Sequence, residues 1–377
     1  MSYAPSEALS QRHQAIRTRL AAEHLDALVV TSLPNIFYLT NFTGSSAIVI
    51  LGSDSLAFVT DFRYLTAIRT IQKECPDFEL VPVDGSYDAE LVKQLVSLSQ
   101  ARVGFEAAHL TVARHGWLAA SLAQAGNSPV TLVPTEGIVE RSRVCKDDYE
   151  IATLREAARR LSEVATGVLT DVRAGRTEQE VALAIDWRIR QGGFSRCAFD
   201  TIVAGGPNAA LPHAHPGERR LTEGDVVVLD FGGVYDSYCV DLTRTVSIGP
   251  ASRRARDVYG AVLDAHDRAI AAVRPGASRL DIDGVARDAL GRHGLAGAFG
   301  HGTGHGLGIE VHEDPRIVAR RGDVDTRDEQ VTAGMVFTIE PGAYLADWGG
   351  VRIEDDVLVT ANGVEVLTNV TTELIEI

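Results

Sequence analysis

Residues 226–245 read VVVLDFGGVYDSYCVDLTRT, and this stretch decides the fold of the 377-residue chain. An apolar, β-branched run over 226–229 ends on Asp230, and Asp241 follows eleven residues later. Two short β-favouring segments around a polar turn predict a hairpin. If it turns through Tyr235-Asp236, position 234 pairs with 237 and Asp230 faces Asp241 directly, their Cβ atoms within roughly 5 Å. A turn through Gly232-Gly233 would separate the two acids.

Working outward, three more potential ligands follow in a fixed order. His305 lies in GHGTGHGLGIEVHEDP (300–315), Glu340 opens EPGAY (340–344) and Glu354 sits in GGVRIEDD (349–356). Four carboxylates and one imidazole form an oxygen-rich set suited to two divalent cations such as Mn²⁺, Co²⁺ or Zn²⁺. The charges balance, whereas the same acids crowded without metal would repel each other and raise some pKa values. A two-metal hydrolytic site is the leading reading. Glycines beside His305 allow close backbone approach. The segment lacks G-x-G-x-x-G spacing and a following βαβ unit, which excludes a dinucleotide loop. Glu340 ends a strand over 336–339 before the Pro341-Gly342 turn. Alternation over 350–360 puts Arg352 on the face of Glu354, where it can orient a ligating carboxylate. Six of the eleven histidines gather at 213–215 and 293–312. His213 and His312 are candidates to stabilise a developing charge or move a proton; His215 and His293 read as ordinary residues.

Composition narrows the class. Hydrophobic residues at 45% and charged ones at 23% are ordinary for a globular protein. Thirty-six Lys+Arg against 51 Asp+Glu give a net charge of −15, which argues against nucleic-acid binding. Arginine pairs at 219–220, 253–254 and 320–321 read as solvated surface or ion pairs. Cys75, Cys145, Cys197 and Cys239 are scattered, so neither a zinc cage nor a disulfide framework is expected, and a cytoplasmic location is. No signal peptide and no membrane-length apolar run are visible.

A chain this long predicts two domains. Residues 13–135 alternate strands (27–31, 47–51, 56–60, 103–106) with helices (64–71, 91–98, 112–125). The pattern breaks at RSRVCKDD, which sets the expected boundary between 1–140 and 141–377. Helices over 148–171 and 178–191 precede the motif strands, and a helical block over 252–293 is broken at Arg274-Pro275-Gly276. No simple 20–50-residue repeat is evident.

With these residues in view, the chain resembles the pita-bread metallopeptidases, the group of aminopeptidase P, prolidase and methionine aminopeptidase. The motifs LPHAHP, LDFGGVYDSYCVDLTRT, GHGTGHGLGIEVHEDP, IEPGAY and VRIEDD carry the likeness. It implies a creatinase-like N-terminal α/β domain followed by a C-terminal α+β pita-bread domain with a mostly antiparallel sheet. It also implies that Asp241 and Glu354 bridge two metals, that Asp230 holds one and that His305 with Glu340 holds the other. His213 and His312 would contact the scissile carbonyl, Glu340 would shuttle a proton, and His301, Tyr344 and Arg352 would build the pocket around proline. In the front half, YLTNFTGSS (38–46) and TDFRY (60–64) look like short bacterial aminopeptidase P sequences, with Asn41 where those commonly have glycine. The likeness therefore implies an Mn²⁺-dependent Xaa-Pro aminopeptidase in which a bridging hydroxide attacks the carbonyl before proline, working as a homodimer on proline-containing peptides. An Xaa-Pro dipeptidase with the same site is the close alternative, and a non-catalytic peptide-binding module is the remote one.

Overall fold

The computed structural model describes residues 3–73, 75, 78–98, 101–125, 130–319 and 329–377. The arginine pair 320–321 lies outside them. The chain divides into two compact units, Met1–Arg143 and Val144–Ile377.

Among the described residues the first unit has six strands, β1 (Ala27–Val30), β2 (Ile48–Gly52), β3 (Leu56–Asp61), β4 (Glu79–Val83), β5 (Arg102–Glu106) and β6 (Thr131–Thr135). They form one mixed sheet in the order β4-β3-β2-β1-β5-β6, with an antiparallel β1–β2–β3 meander and parallel outer pairs. The helices that connect and cover it are α1 (Ser6–Ala22), α2 (Leu33–Thr40), α3 (Leu65–Ile71), α4 (Tyr87–Ser97), α5 (Val112–Gln124) and α6 (Glu140–Arg143). The sequence pattern does not announce β4 and β6, because Pro82 and Pro134 interrupt them. Both are edge strands, where a missing N–H breaks no ladder. Asn41 ends α2 at φ 62°, a left-handed position glycine usually fills. Its side-chain amide accepts from the Ala4 N–H at 3.0 Å and donates to the Ala4 carbonyl at 2.9 Å, tying down the chain start.

Among its described residues the second unit has two helix pairs, two five-stranded sheets and a two-stranded one. Asp147 with Glu150 and Thr177 with Glu180 form capping boxes that start α7 (Asp148–Val168) and α8 (Glu178–Gln191). The strands that follow are β7 (Arg196–Cys197), β8 (Ile202–Gly205), β9 (Val226–Tyr235) and β10 (Tyr238–Ser247). Next come α9 (Arg253–Ala272), α10 (Arg279–Arg292), β11 (Gly304–Gly306), β12 (Glu313–Ile317), β13 (Val336–Ile339), β14 (Gly342–Leu345), β15 (Gly349–Arg352), β16 (Asp355–Thr360), β17 (Gly363–Val366) and β18 (Ile375–Glu376). One sheet runs β18-β10-β9-β7 with β8 also on β9, the other runs β12-β11-β13-β16-β17, and β14–β15 is a separate hairpin. Among the described residues every pairing in this unit is antiparallel except β10–β18. Val258, Val262 and Ala265 of α9 and Ile282, Ala286 and Ala289 of α10 meet Phe337, Ile339, Val357 and Val359 in a closed core.

The hairpin exists, but its expected register needs correction. The turn is Asp236-Ser237, both left-handed at φ 44° and 71°, so Tyr235 pairs with Tyr238. A two-residue turn of this hand matches the twist of the flanking strands. Asp241 consequently opposes Gly232 and Asp230 opposes Thr243. The two acids lie diagonally on one face instead of directly opposite. β9 also continues past Asp230 to Tyr235.

A long-range duplication underlies the two sheets. Residues 221–230 (LTEGDVVVLD) and 331–340 (VTAGMVFTIE) repeat the same events. In each, a β-bridge reaches back to a helix N-cap, Thr177 to Arg220 and Ser278 to Gln330. A glycine at φ 88° or 90° follows, then a buried strand leads to Asp230 or Glu340.

Candidate metal centre

The five expected ligands converge on one cavity of about 370 Å³. Asp230 and Asp241 come from the β9–β10 hairpin and His305 from β11. Glu340 follows β13, and Glu354 sits in the break between β15 and β16, where its N–H donates to the Thr243 carbonyl at 3.1 Å. A Cβ at Gly304 would stand 1.8 Å from the Thr338 carbonyl oxygen, so only glycine lets β11 press this close to β13. His305 Nε2 lies 3.5 Å from Glu340 Oε1 and 4.0 Å from Asp241 Oδ2. One ligand atom each from Asp241, His305 and Glu354 falls within 4.8 Å of the others.

The protonation chemistry of the cluster fits bound divalent cations. Burial, then the neighbouring Asp230, Asp356 and Glu340, raises the Asp241 pKa well above its ordinary range. Burial, then Asp241, Glu340 and Asp230, does the same to Glu354. Burial pushes Glu340 up to about 7, with the Arg352 charge opposing. Burial, reinforced by His312, brings His305 down to about 3, so its ring is neutral. His305 Nδ1 donates to the Gly306 carbonyl at 3.1 Å, which leaves the Nε2 lone pair facing carboxylate oxygens. Asp230 Oδ1 is buried with no hydrogen-bond partner. Lone pair facing lone pair, and a buried acceptor left unmatched, are both relieved by a cation.

Around the ligands, His213, His301, His312 and Arg352 also line the cavity. His312 stacks edge-on to His305, ring centroids 4.3 Å apart. Tyr344 is not on the wall; it stands behind it. Arg352 Nη1 donates to its hydroxyl at 2.9 Å, and that hydroxyl meets His301 Nε2 at 2.8 Å. His301 Nδ1 donates to the Gly302 carbonyl, so Nε2 accepts, and burial lowers this imidazole to about 4. Arg352 also donates to Asp230 Oδ2, to the Pro212 carbonyl and to Thr243 Oγ1. Its carboxylate partner is thus Asp230, while Glu354 accepts from Thr243 Oγ1 at 2.5 Å.

Several wall residues were not singled out in the sequence. Arg316 is exposed to the cavity, and its charge reaches His305, His312 and Glu340. Phe199, Ile202 and Val318 supply apolar wall, and His215, read as ordinary, stands among them. Asp356, buried behind the site, accepts from the Asp241 N–H at 3.0 Å. The I-E-D-D run was its only signal. His293 lies on the surface, 3.6 Å from Asp264.

The model of metallopeptidase family M24 matches residues 152–361, which span all five ligands. The chain belongs to that family. The creatinase/prolidase N-terminal domain matches residues 12–145. An Xaa-Pro dipeptidase from Bacillus anthracis superposes with a TM-score of 0.90 at 34% identity, covering 98% of this chain and 100% of that one. An X-Pro aminopeptidase from Thermotoga maritima gives a TM-score of 0.85 at 31% identity over 95% and 100%. The Xaa-Pro dipeptidase of Pyrococcus horikoshii is 31% identical over 355 residues, 93% of this chain and 95% of the relative. An M24 metallopeptidase of the prolidase and aminopeptidase P kind, with a creatinase-type first domain, is what the fold carries.

Proposed function

We propose that this M24 metallopeptidase is an Xaa-Pro dipeptidase. The carrying observation is Arg316. An aminopeptidase must leave space beyond proline and cannot set a cation where the proline carboxylate would end. Arg316 stands on the cavity wall, and among the described residues no carboxylate pairs with its guanidinium. A free proline carboxylate is the partner its fork of donors suits. The names of the relatives from Bacillus anthracis and Pyrococcus horikoshii support the same reading. The aminopeptidase expectation rested on front-half motifs, which lie outside the second unit that holds the cavity.

In this reading Asp230, Asp241, His305, Glu340 and Glu354 would together hold two divalent cations. Such ions supply Lewis-acid polarisation of the carbonyl and an activated water. The donor set, four carboxylates and one imidazole, suits Mn²⁺, Co²⁺ or Zn²⁺, and the family likeness favours Mn²⁺. The chain's own groups do the rest. Phe199, Ile202 and Val318 take the proline ring, and Arg316 takes its carboxylate. His312, whose pKa is lowered by desolvation and then by the Arg316 charge, and His213 donate to the carbonyl oxygen as charge develops there. Glu340 moves a proton to the proline nitrogen. The tertiary amide has no N–H, so peptidases that bind an extended backbone through that group handle Xaa-Pro poorly. A cytoplasmic location and a homodimer belong to the same proposal; the four cysteines are free thiols.

The test compares Xaa-Pro, Xaa-Pro amide and Xaa-Pro-Yaa. Capping the carboxylate should cost at least tenfold in kcat/KM, matching the roughly 1.5–3 kcal/mol of a charge-assisted hydrogen bond. Equal cleavage of all three would return the assignment to an aminopeptidase.

A further inference from the structure

Glu178 is fully buried at the first position of α8, and every hydrogen bond its carboxylate accepts comes from one loop. Oε1 accepts from the Gly205 N–H at 2.8 Å and from Asn208 Nδ2 at 3.0 Å. Oε2 accepts from Asn208 Nδ2 at 3.1 Å and from the Gly217 N–H at 3.2 Å. Residues 205–217 thus wrap one side chain. A buried carboxylate is costly unless its lone pairs are met, and here three loop groups meet them while the helix N-terminus adds favourable field. Arg219 lies within electrostatic reach and is itself bidentate to Asp225 at 2.7 and 2.9 Å.

That loop carries Pro212, His213, Ala214 and His215 to the cavity wall. The loop is also gripped by the Arg352 bond to the Pro212 carbonyl at 3.2 Å, by the Gln179 N–H donating to the Gly217 carbonyl at 3.1 Å, and by the tight approach of Gly350 to Ala209. Glu178 itself does not line the cavity. We infer that Glu178 is a positioning residue that holds the 205–217 loop so that His213 reaches the scissile carbonyl. The inference rests on the role given above to His213. A carboxylate is required because all its partners are donors; an amide in its place would turn an NH₂ toward N–H groups.

The test uses full-length, metal-loaded protein in the variants E178Q, H213A and the double mutant, with N208A as a milder probe that removes one donor and keeps the carboxylate. E178Q should lower kcat on an Xaa-Pro dipeptide about 10–100-fold, the scale of a misplaced catalytic group, with bound metal unchanged. N208A should fall between E178Q and wild type. On the H213A background E178Q should cost nothing further, and in E178Q the amides of residues 205–217 should exchange hydrogen faster. The same fold-loss in both backgrounds, or unchanged exchange in the loop, overturns the inference. If E178Q does not fold, N208A is compared with wild type and with its own H213A double by the same criteria. Wild-type protein that cleaves no Xaa-Pro dipeptide sinks the dipeptidase reading, and loop exchange then decides by itself whether Glu178 holds the loop.

Discussion

His305 and His312 touch ring to ring, yet their surroundings assign them different work. His305 offers Nε2 to the acids, whereas His312 is exposed to the cavity and, among the described residues, forms no ion pair with them. His305→Ala should therefore lose metal. His312→Ala should keep its metal and lose roughly 10²–10⁴ in kcat, the range for an acid–base or oxyanion partner. Metal analysis beside steady-state rates checks both, and equal metal loss in the two variants would refute the division. Arg316→Met should raise KM for Xaa-Pro at least about tenfold and leave Xaa-Pro amide nearly unchanged, since only the free carboxylate loses its partner. At this scale the ligands were legible because five Asp, His and Glu residues in fixed order leave few other uses. Arg316 was not, because one arginine in H-E-D-P-R looks like any exposed strand residue. Glu178 hid as the second letter of T-E-Q-E, an ordinary helix start.

Among the elements, the β9–β10 hairpin was legible and its register was not. The residues D-S occupy left-handed positions that only the closed turn reveals, and a shift of one residue in the turn moved the pairing of Asp241 from Asp230 to Gly232. The duplication at residues 221–230 and 331–340 was present in the sequence, but its spacing of about a hundred residues lies beyond any short repeat search. In the first unit, α1 carries a buried histidine. His13 is buried with Nε2 donating to the Leu39 carbonyl at 2.7 Å, and burial lowers its pKa below 6.5. The unfolded chain takes up this proton first as pH falls below 6.5. The imidazole's contribution is thus present above that value and lost as pH drops toward the folded pKa. His13→Gln keeps a donor for Leu39 without a titrating group. Between about pH 7.5 and 5.5 its melting temperature should fall less than that of the wild type. Identical slopes would show that His13 contributes nothing.

Across the whole molecule, the acidic balance and the buried carboxylates point the same way. Metal-free, the second unit holds Asp241, Glu340 and Glu354 in one buried cluster with raised pKa values. Ions that bind only the folded form add stability by mass action, about 2.7 kcal/mol at a hundredfold excess over Kd. Chelation should lower the melting temperature, and Asp241→Asn should melt like the metal-free wild type whether or not metal is added. No helix among the described residues is long and apolar enough to cross a membrane. That these five side chains would hold the metal for cleavage before proline is checked by a single titration. Hydrolysis of an Xaa-Pro dipeptide is followed in wild-type protein stripped by chelator and then titrated with Mn²⁺. The account predicts no turnover in the stripped protein and recovery as Mn²⁺ is restored. Undiminished cleavage by fully stripped protein, or no cleavage at any Mn²⁺ concentration, would contradict it.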